Sequence, residues 1–382
     1  MLPFTYAVRN LFRDPARLLQ TIGGSALVVL LLTSAVAFNQ GMDRVLTASG
    51  SPRNVLLIGS GSEESIERSE IPLAAESAAQ TSIPGLAQSL GRPAVSGEIV
   101  FQAPAAPEGH EAHQALLRGV LPEALLVHEE VSLTQGHFPG PGEVMIGRLV
   151  PRKFDLPAEN FAPGRDIVID HERFRISGHF TAPGTVLESE FWLDRNDLAA
   201  LMQRDTLSAV YLRLSPEGEP DDAEVFALQR NDLELTSMRE DQYYAKLSRF
   251  YAPIKLMTWL TAGLVAAGAL FGGLNTLYAA FASRIREMAT LQAIGYTRAA
   301  LLVSLIQESL LATLTGTLLA FLAALLLLEG RAVSFSMGTF QLNLTPGVIL
   351  TGLLTGILLG TLGTLPPALR TLAPTLPKAL RG

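Results

Sequence analysis

The chain has 382 residues, of which 48% are hydrophobic and 17% are charged, and its mean hydropathy is +0.30. It is too apolar for an average soluble protein and too charged to lie wholly inside a membrane. Because it contains no cysteine, disulfides, cysteine-ligated metals and thiol catalysis are excluded.

The first residues, 1–20, precede an apolar run and carry apolar side chains on one helical face: Phe4, Ala7, Val8, Leu11 and Phe12. This pattern predicts a cytoplasmic helix lying in the membrane interface, although the segment can also be the start of a long first span. The run ends in Ala35-Val36-Ala37, so cleavage of a signal peptide there is an alternative to a retained anchor.

Four apolar runs are long enough to cross a bilayer, which requires about 20 mostly apolar residues. We predict transmembrane helices over residues 21–38, 253–282, 299–328 and 344–365. The predicted fold class is a membrane protein with four transmembrane α-helices, one plus three. A large α+β extracytoplasmic domain, residues 39–252, is inserted between helices one and two.

Basic residues are concentrated before the first run, between the second and third, and after the fourth. These segments hold nine basic residues and two acidic ones, namely Arg9, Arg13, Arg17, Arg284, Arg286, Arg298, Arg370, Lys378 and Arg381, against Asp14 and Glu287. The positive-inside rule therefore places both termini, the loop 283–298 and the tail 366–382 in the cytoplasm. The insert 39–252 and the connector 329–343 then lie outside.

The insert has 18 basic and 32 acidic residues, a net charge of −14, which argues against binding nucleic acid. Six segments predict strands and two predict helices. The strands are 54–58, 115–120, 143–147, 165–169, 172–180 and 208–214, and the helices are 196–204 and 221–230. We expect a mobile element over the polar, alanine-rich stretch 60–80.

Aromatic residues precede and enter the second span: Tyr243, Tyr244, Phe250, Tyr251 and Trp259. They fit an interfacial aromatic belt or core packing equally well. A helix that continues from the outside domain into the bilayer is expected here, with Pro253 as a kink or as the point of membrane entry.

The common catalytic motifs are mostly absent from the sequence. There is no phosphate-binding G-x-x-x-x-G-K-[ST] motif, no G-x-S-x-G and no S-x-x-K. His110 and His113 are one residue too close for a zinc-binding H-E-x-x-H pair, so we expect no metal site and no enzyme activity.

The loop 283–298 contains good helix formers, with Ile285, Met288, Ala289 and Gln292 spaced for one face. We predict a short cytoplasmic helix that exposes this apolar face to a partner, ended by Gly295 and followed by a Thr297 cap. A solvated charged turn that only enforces topology is the alternative. In the third span, Glu308 is either a functional group or a simple interhelical hydrogen-bonding residue.

Small residues recur at intervals of four in two of the spans. They are Gly268 and Gly272 in the second span, and Gly352, Gly356 and Gly360 in the fourth. This spacing lets helix backbones approach closely, either within one chain or between two copies in a dimer.

The block "SRIREMATLQAIGYTRAALLVSLIQESLLATLTGTLLA" resembles the signature of ABC transporter permeases of the FtsX and MacB type. The family pattern is a basic pair, E-[IM]-A, a leucine, A-[IL]-G and then E-S in the next span. It is matched by Arg284, Arg286, Glu287, Met288, Ala289, Leu291, Ala293, Ile294, Gly295, Glu308 and Ser309. The stretches "RGVLPE", "GEVMIGR" and "FRISGHFTAPGTVLESEFWLDRNDL" resemble the family's periplasmic core domain, and the chain lacks MacB's fused nucleotide-binding domain.

The resemblance implies a non-catalytic subunit of the bacterial inner membrane that transmits the motion of a separate ABC ATPase to its extracytoplasmic domain. ATP-Mg would bind that ATPase, which would dock on Arg284, Arg286, Glu287, Met288, Leu291, Gly295 and Arg298, and this chain would bind no cofactor. Further implied partners are a second permease copy or homologue, a periplasmic adaptor and membrane lipid. The work would be export of lipoproteins, lipids, peptides or drugs, or alternatively signalling to an outside partner such as a cell-wall hydrolase.

Overall fold

The computed structural model describes residues 4–335 and 338–374, so Lys378 and Arg381 of the predicted tail lie outside the described residues. It divides into two compact units. The first comprises residues 1–40, 253–330 and 342–382, and the second comprises residues 41–252 and 331–341.

The helices are, in chain order, α1 (Phe4–Leu11), α2 (Pro15–Ser49), α3 (Ala74–Ser82), α4 (Ala124–Val127), α5 (Val150–Lys153), α6 (Arg195–Leu201), α7 (Pro220–Gln229), α8 (Glu240–Phe250), α9 (Ala252–Ala282), α10 (Ile285–Ala293), α11 (Arg298–Leu327), α12 (Pro346–Leu362) and α13 (Leu365–Leu372). Within the described residues, four stretches are long and apolar enough to cross a membrane: α2, α9, α11 and the α12–α13 stretch. This confirms the one-plus-three arrangement around a large insert.

The strands are β1 (Asn54–Gly59), β2 (Ile71–Pro72), β3 (Gln88–Ser89), β4 (Arg92–Pro93), β5 (Val95–Pro107), β6 (His113–Val120), β7 (Ser132–Gly136), β8 (Glu143–Gly147), β9 (Asp166–Ile169), β10 (Glu172–Thr181), β11 (Phe191–Asp194), β12 (Thr206–Leu207), β13 (Ala209–Arg213), β14 (Leu235–Arg239), β15 (Ala332–Phe335) and β16 (Gly338–Gln341). All six predicted strand segments and both predicted helices of the insert are present.

The main sheet of the second unit has the order β14-β1-β13-β5-β6-β11-β8-β10-β7. β9 pairs with both β10 and β5, which closes six strands, β5-β6-β11-β8-β10-β9, into a ring. Most pairs are antiparallel, while β10–β8 and β11–β6 are parallel. The ring leaves fewer unpaired strand edges than an open sheet of the same size.

The stretch 60–80 does not form the predicted mobile element. It contains a 3₁₀ turn at Ile66–Arg68, strand β2 and most of α3, and Ile66, Ile71, Ala75 and Ala79 are fully buried. The prediction was wrong because the two alanines lie four residues apart, so they form the packed face of a helix whose other face is polar.

The aromatic residues before α9 divide into two groups. Tyr243, Tyr244 and Tyr251 are buried in the second unit, which favours core packing for these three, while Phe250 and Trp259 are exposed. The expected continuous helix is interrupted at Tyr251, which caps α8, and Pro253 lies in the first turn of α9, where a missing N–H is tolerated.

A buried polar network crosses the sheet of the second unit. Arg118 binds Glu98 at 2.6 Å and forms a two-bond pair with Glu190 at 2.6 and 2.8 Å, and His128 Nε2 lies 2.9 Å from Glu98. Glu240, the first residue of α8, accepts hydrogen bonds from the Ser51 N–H at 3.1 Å and from Asn54 at 3.0 Å. These two hydrogen bonds tie the start of α8 to the chain that directly follows α2.

The predicted outer connector folds as the hairpin β15–β16, which belongs to the second unit. Phe335 makes an edge contact with Tyr251, with ring centroids 5.4 Å apart. Phe340 is buried so closely against Gly41 that a Cβ there would lie 2.5 Å from its ring. The hairpin is thus packed into the second unit rather than left as a free loop.

Candidate functional site

The predicted cytoplasmic loop folds as the short helix α10, between the long helices α9 and α11. After α10 ends, Gly295 has a φ of +110°, a conformation that residues with a side chain rarely adopt. Thr297 caps α11, and its hydroxyl accepts a hydrogen bond from the Ala300 N–H at 3.2 Å. Both residues have the helix-end roles predicted from the sequence.

One face of α10 packs inside the protein. Met288 and Ala289 are 2% exposed, and Met288 contacts Leu301 of α11 and Leu372 of α13. Leu291 is partly buried against the same cluster. The prediction that Met288 and Ala289 lie on an exposed apolar face was therefore wrong, because both are buried, and α11 and α13 pack against Met288.

The opposite side of α10 and the turn after it are exposed, and we call these residues the outer face: Arg286, Thr290, Ala293, Ile294 and Arg298. Ile294 is 71% exposed, so a large apolar side chain is accessible on this face. The outer face combines two basic side chains with this apolar residue, a composition suited to contact with another protein.

Glu287 joins α10 to the N-terminal segment. Its carboxylate accepts hydrogen bonds from Arg13 at 2.8 Å and from the Tyr6 hydroxyl at 3.1 Å, and it lies 3.3 Å from Arg284 Nε. Burial opposes ionisation of this carboxyl, but the positive charge of Arg284 and these hydrogen bonds outweigh it, so the pKa of Glu287 is lowered. Glu287 is therefore an anion that holds α1 and α10 together.

Glu308 on α11 is the second point of attachment, and it is only 3% exposed. It forms two hydrogen bonds with Arg284 at 3.0 and 3.2 Å, pairs with Arg17 at the start of α2, and lies 3.5 Å from Asn10 Nδ2 of α1. Burial tends to lower the pKa of Arg284, but the charge of Glu308 more than compensates and raises it. We call Glu308, Arg17, Arg284 and Asn10 the Glu308 cluster.

The sequence contains these partners but does not identify them as such. Arg13 and Arg17 count toward topology in the sequence, and nothing there pairs them with residues almost 300 positions away. The available signal is the spacing of Arg9, Arg13 and Arg17 at intervals of four, which places basic groups along one side of a helical segment.

Two family models match the chain. One, described as "FtsX-like permease C-terminal", matches residues 259–375, and the other, described as "MacB-like periplasmic core domain", matches residues 18–225, more than half of the chain. The chain belongs to the FtsX/MacB-type ABC permeases. It is thus a multi-pass membrane protein with an extracellular domain, in a family whose members are generally non-catalytic membrane subunits.

Solved structures similar to this permease include the periplasmic region of MacB from Actinobacillus actinomycetemcomitans. The identity is 10% and the TM-score 0.40, over 52% of this chain and 94% of that one. Another is the extracellular domain of the ABC-type transporter YknZ from Gram-positive bacteria. Its identity is 15% and its TM-score 0.39, over 49% of this chain and all of that one. No curated protein matches the permease significantly.

The permease uses its glycines in two different ways. A Cβ at Gly352 would lie 2.6 Å from Phe321, one at Gly356 would lie 2.0 Å from Thr317, and one at Gly360 would lie 2.5 Å from Thr313. These three glycines bring α12 close to α11 within one chain. At Gly268 and Gly272, a Cβ would meet nothing within 4 Å in the described residues, and Gly272 lines a cavity that α9 forms with other helices of the chain.

Proposed function

We propose that this permease is the membrane subunit of an ABC export complex that moves lipoproteins, lipids, peptides or drugs and resides in the bacterial inner membrane with both termini in the cytoplasm. A separate ATPase subunit binds ATP-Mg and docks on the outer face, while this chain binds no cofactor. Its further partners are a second permease copy or homologue, a periplasmic adaptor and membrane lipid, but not nucleic acid.

The main support for the proposal is a pair of carboxylates, Glu287 and Glu308, that hold α10 against its neighbours. Arg284 lies directly before α10 and binds Glu308, and Glu308 also pairs with Arg17 of α2. Because the three charged side chains are largely buried, the pairs are little screened by solvent. A push on α10 would therefore move the cytoplasmic ends of α2 and α11 together.

The residues proposed for ATPase coupling then fall into two roles. Arg286 and Arg298 lie on the outer face and would contact the ATPase directly, and Gly295 ends α10 so that this face is presented. Arg284, Glu287, Met288 and Leu291 are engaged within the chain and would transmit the motion. Gly268 of α9, where a Cβ would meet nothing within 4 Å and which does not line the cavity described below, supports a second permease copy as the neighbour of this helix.

The docking step is tested by copurification from detergent-solubilised native membranes with Ile294→Glu. We expect the wild type to recover an ATP-binding subunit and the variant to lose most of it, because a charge would be placed in the apolar part of the contact. Leu228→Glu is the matched control, since Leu228 is 68% exposed but lies on α7 of the second unit.

Two results would count against this function. Equal recovery of the ATPase by both variants would remove the outer face as the docking site. Failure of the wild type to recover any ATPase, together with a stable complex with an extracytoplasmic hydrolase, would favour the signalling scaffold instead.

A further inference from the structure

A cavity of about 220 Å³ lies among four helices of the membrane-spanning unit. Gly24 and Val28 of α2 form one wall, Leu270 and Gly273 of α9 face them, and α11 and α12 complete the lining. Glycine leaves space on both walls, because a Cβ at Gly24 or Gly273 would meet nothing within 4 Å.

The cavity exists because α9 is attached to its neighbours mainly at one end. Leu277 and Phe281, in the last turns of α9, pack against Leu305 of α11 and Ala368 of α13. In the described part of the chain, Ala262 is the one further buried residue of this helix. Beyond the contact at Leu277 the helices separate, and the cavity occupies the gap.

Four of the five hydroxyl groups in the lining donate to backbone carbonyls of their own helices, Ser309 being the fifth. Thr21 donates to Arg17 at 2.9 Å, Ser25 to Ile22 at 3.1 Å, and Thr276 to Gly272 at 3.1 Å. Thr313 does the same with Leu310 at 3.2 Å. A buried water needs two to four polar partners, so these walls favour hydrocarbon over water.

We propose that this cavity binds one alkyl chain of a bilayer phospholipid, which separates α9 from α2 and α12. In a bilayer the solvent around these spans is lipid hydrocarbon, and an unfilled gap forfeits the dispersion contacts of its walls. Gln20, near the start of α2, lies at the polar end of the cavity. The glycines and leucines of the lining extend from there along the helices. The site therefore fits an amphiphile whose chain enters past Gln20, and it is independent of the proposed ATPase.

The test uses the full chain in phosphatidylethanolamine and phosphatidylglycerol vesicles that contain a phospholipid with a photoreactive diazirine in its acyl chain. We expect crosslinks in the wild type to map to α2 and α9 around Gly24 and Gly273. Gly24→Leu and Gly273→Leu should each lower this labelling by about tenfold, because the new side chain displaces methylene groups that contribute to binding.

Two glycines serve as matched controls, since a Cβ at Gly23 or Gly263 also meets nothing within 4 Å but neither residue lines the cavity. Gly23→Leu and Gly263→Leu should be labelled as the wild type is. Equal labelling in all five proteins, or equal loss in the controls, would overturn the proposal.

A second arm separates the alternative occupants. A lipopeptide that carries the same diazirine replaces the phospholipid probe, and light scattering reports the oligomeric state of each variant. Labelling by the lipopeptide but not by the phospholipid would make the cavity a cargo site. If no lipid labelling occurs and the oligomeric state changes in Gly24→Leu and Gly273→Leu, the cavity would be assigned to a second copy of the chain. Labelling by the lipopeptide alone and this second result would each reject a resident phospholipid.

Discussion

At the scale of single residues, Glu240 is a fully buried acid whose pKa is raised by burial. Burial raises its pKa to about 7 from the usual 4.5, although the charge of His128 and the hydrogen bonds from Ser51 and Asn54 lower it and Glu130 raises it. The folded protein therefore binds the Glu240 proton more tightly than the unfolded chain does. Its stability falls as the pH rises from about 4.5 to about 7, and the loss is complete above that range.

We predict that Glu240→Gln stabilises the protein at pH 8 relative to the wild type, by on the order of 3 kcal/mol, since one pKa unit corresponds to about 1.4 kcal/mol. The amide oxygen can replace Oε2, which accepts both the Ser51 and the Asn54 hydrogen bonds. The measurement is thermal unfolding followed by Trp192 fluorescence in a Trp259→Phe background. The gain should vanish at pH 4, and a constant difference at both pH values would contradict it.

Glu98 provides the control with the opposite sign. Burial opposes its ionisation, but His128 and Arg118 outweigh burial and lower its pKa to about 2 from 4.5. Its contribution to stability is present above pH 4.5 and is lost as the pH falls through about 2. Glu98→Gln should therefore destabilise the protein at pH 8, where Glu240→Gln stabilises it.

We further predict that Glu308 and Arg17 are energetically coupled. Glu308→Gln leaves the largely buried Arg17 without its anion and Arg284 with Glu287 alone, so it should lower the melting temperature strongly. Adding Arg17→Gln should restore part of the loss, with a coupling energy of about 0.5–3 kcal/mol in a double-mutant cycle. Arg13 serves as the comparison for the buried Arg17, because it also binds a glutamate, Glu287, but is 66% exposed. Additive effects of Glu308→Gln and Arg17→Gln would show that the pair does not act as a unit.

At the scale of secondary-structure elements, the contact between α11 and α12 depends on glycine. We predict that Gly356→Leu destabilises the protein by about 1–3 kcal/mol, the usual range for overpacking, because its Cβ would lie 2.0 Å from Thr317 Oγ1. The check is the melting temperature in detergent, with Gly23→Leu as the control at an open helical position. If the two variants have the same melting temperature, α12 is not held against α11 by this contact.

The elements that were predicted correctly from the sequence are those whose hydrophobic pattern is continuous along the chain. Long apolar runs revealed the spanning helices, and alternating segments such as 172–180 revealed strands. The 13-residue strand β5 was missed because Gly97, Pro104 and Pro107 disrupt its pattern. Helix α13 was also missed, because its first turn contains Pro366 and Pro367 and its partner α10 is distant in the chain.

The candidate site was predicted in part for the same physical reason. The residues of α10 and Glu308 are close in sequence and stand out as polar groups between apolar runs. Their partners Tyr6, Asn10, Arg13 and Arg17 come from the other end of the chain, and only folding brings them within hydrogen-bonding distance. A single sequence carries the charges but not the pairing between them.

At the scale of the whole molecule, charge is divided by region in a way that the net value of −7 conceals. The insert 39–252 carries −14, while the segments assigned to the cytoplasm carry nine basic residues and two acidic ones. We predict that this asymmetry fixes the orientation, with the insert outside and α10 inside. The absence of cysteine makes the prediction directly testable, since any introduced thiol is unique.

The test places one cysteine on each side, Leu228→Cys on α7 and Ile294→Cys on the outer face, at side chains that are 68% and 71% exposed. A membrane-impermeant maleimide should label Leu228→Cys in intact spheroplasts and Ile294→Cys only after the membrane is opened with detergent. The cysteine-free wild type gives the background. Labelling of Ile294→Cys in intact spheroplasts would reverse the orientation and remove the outer face from the compartment that holds ATP. The docking proposal depends on this result, whereas the phospholipid cavity does not.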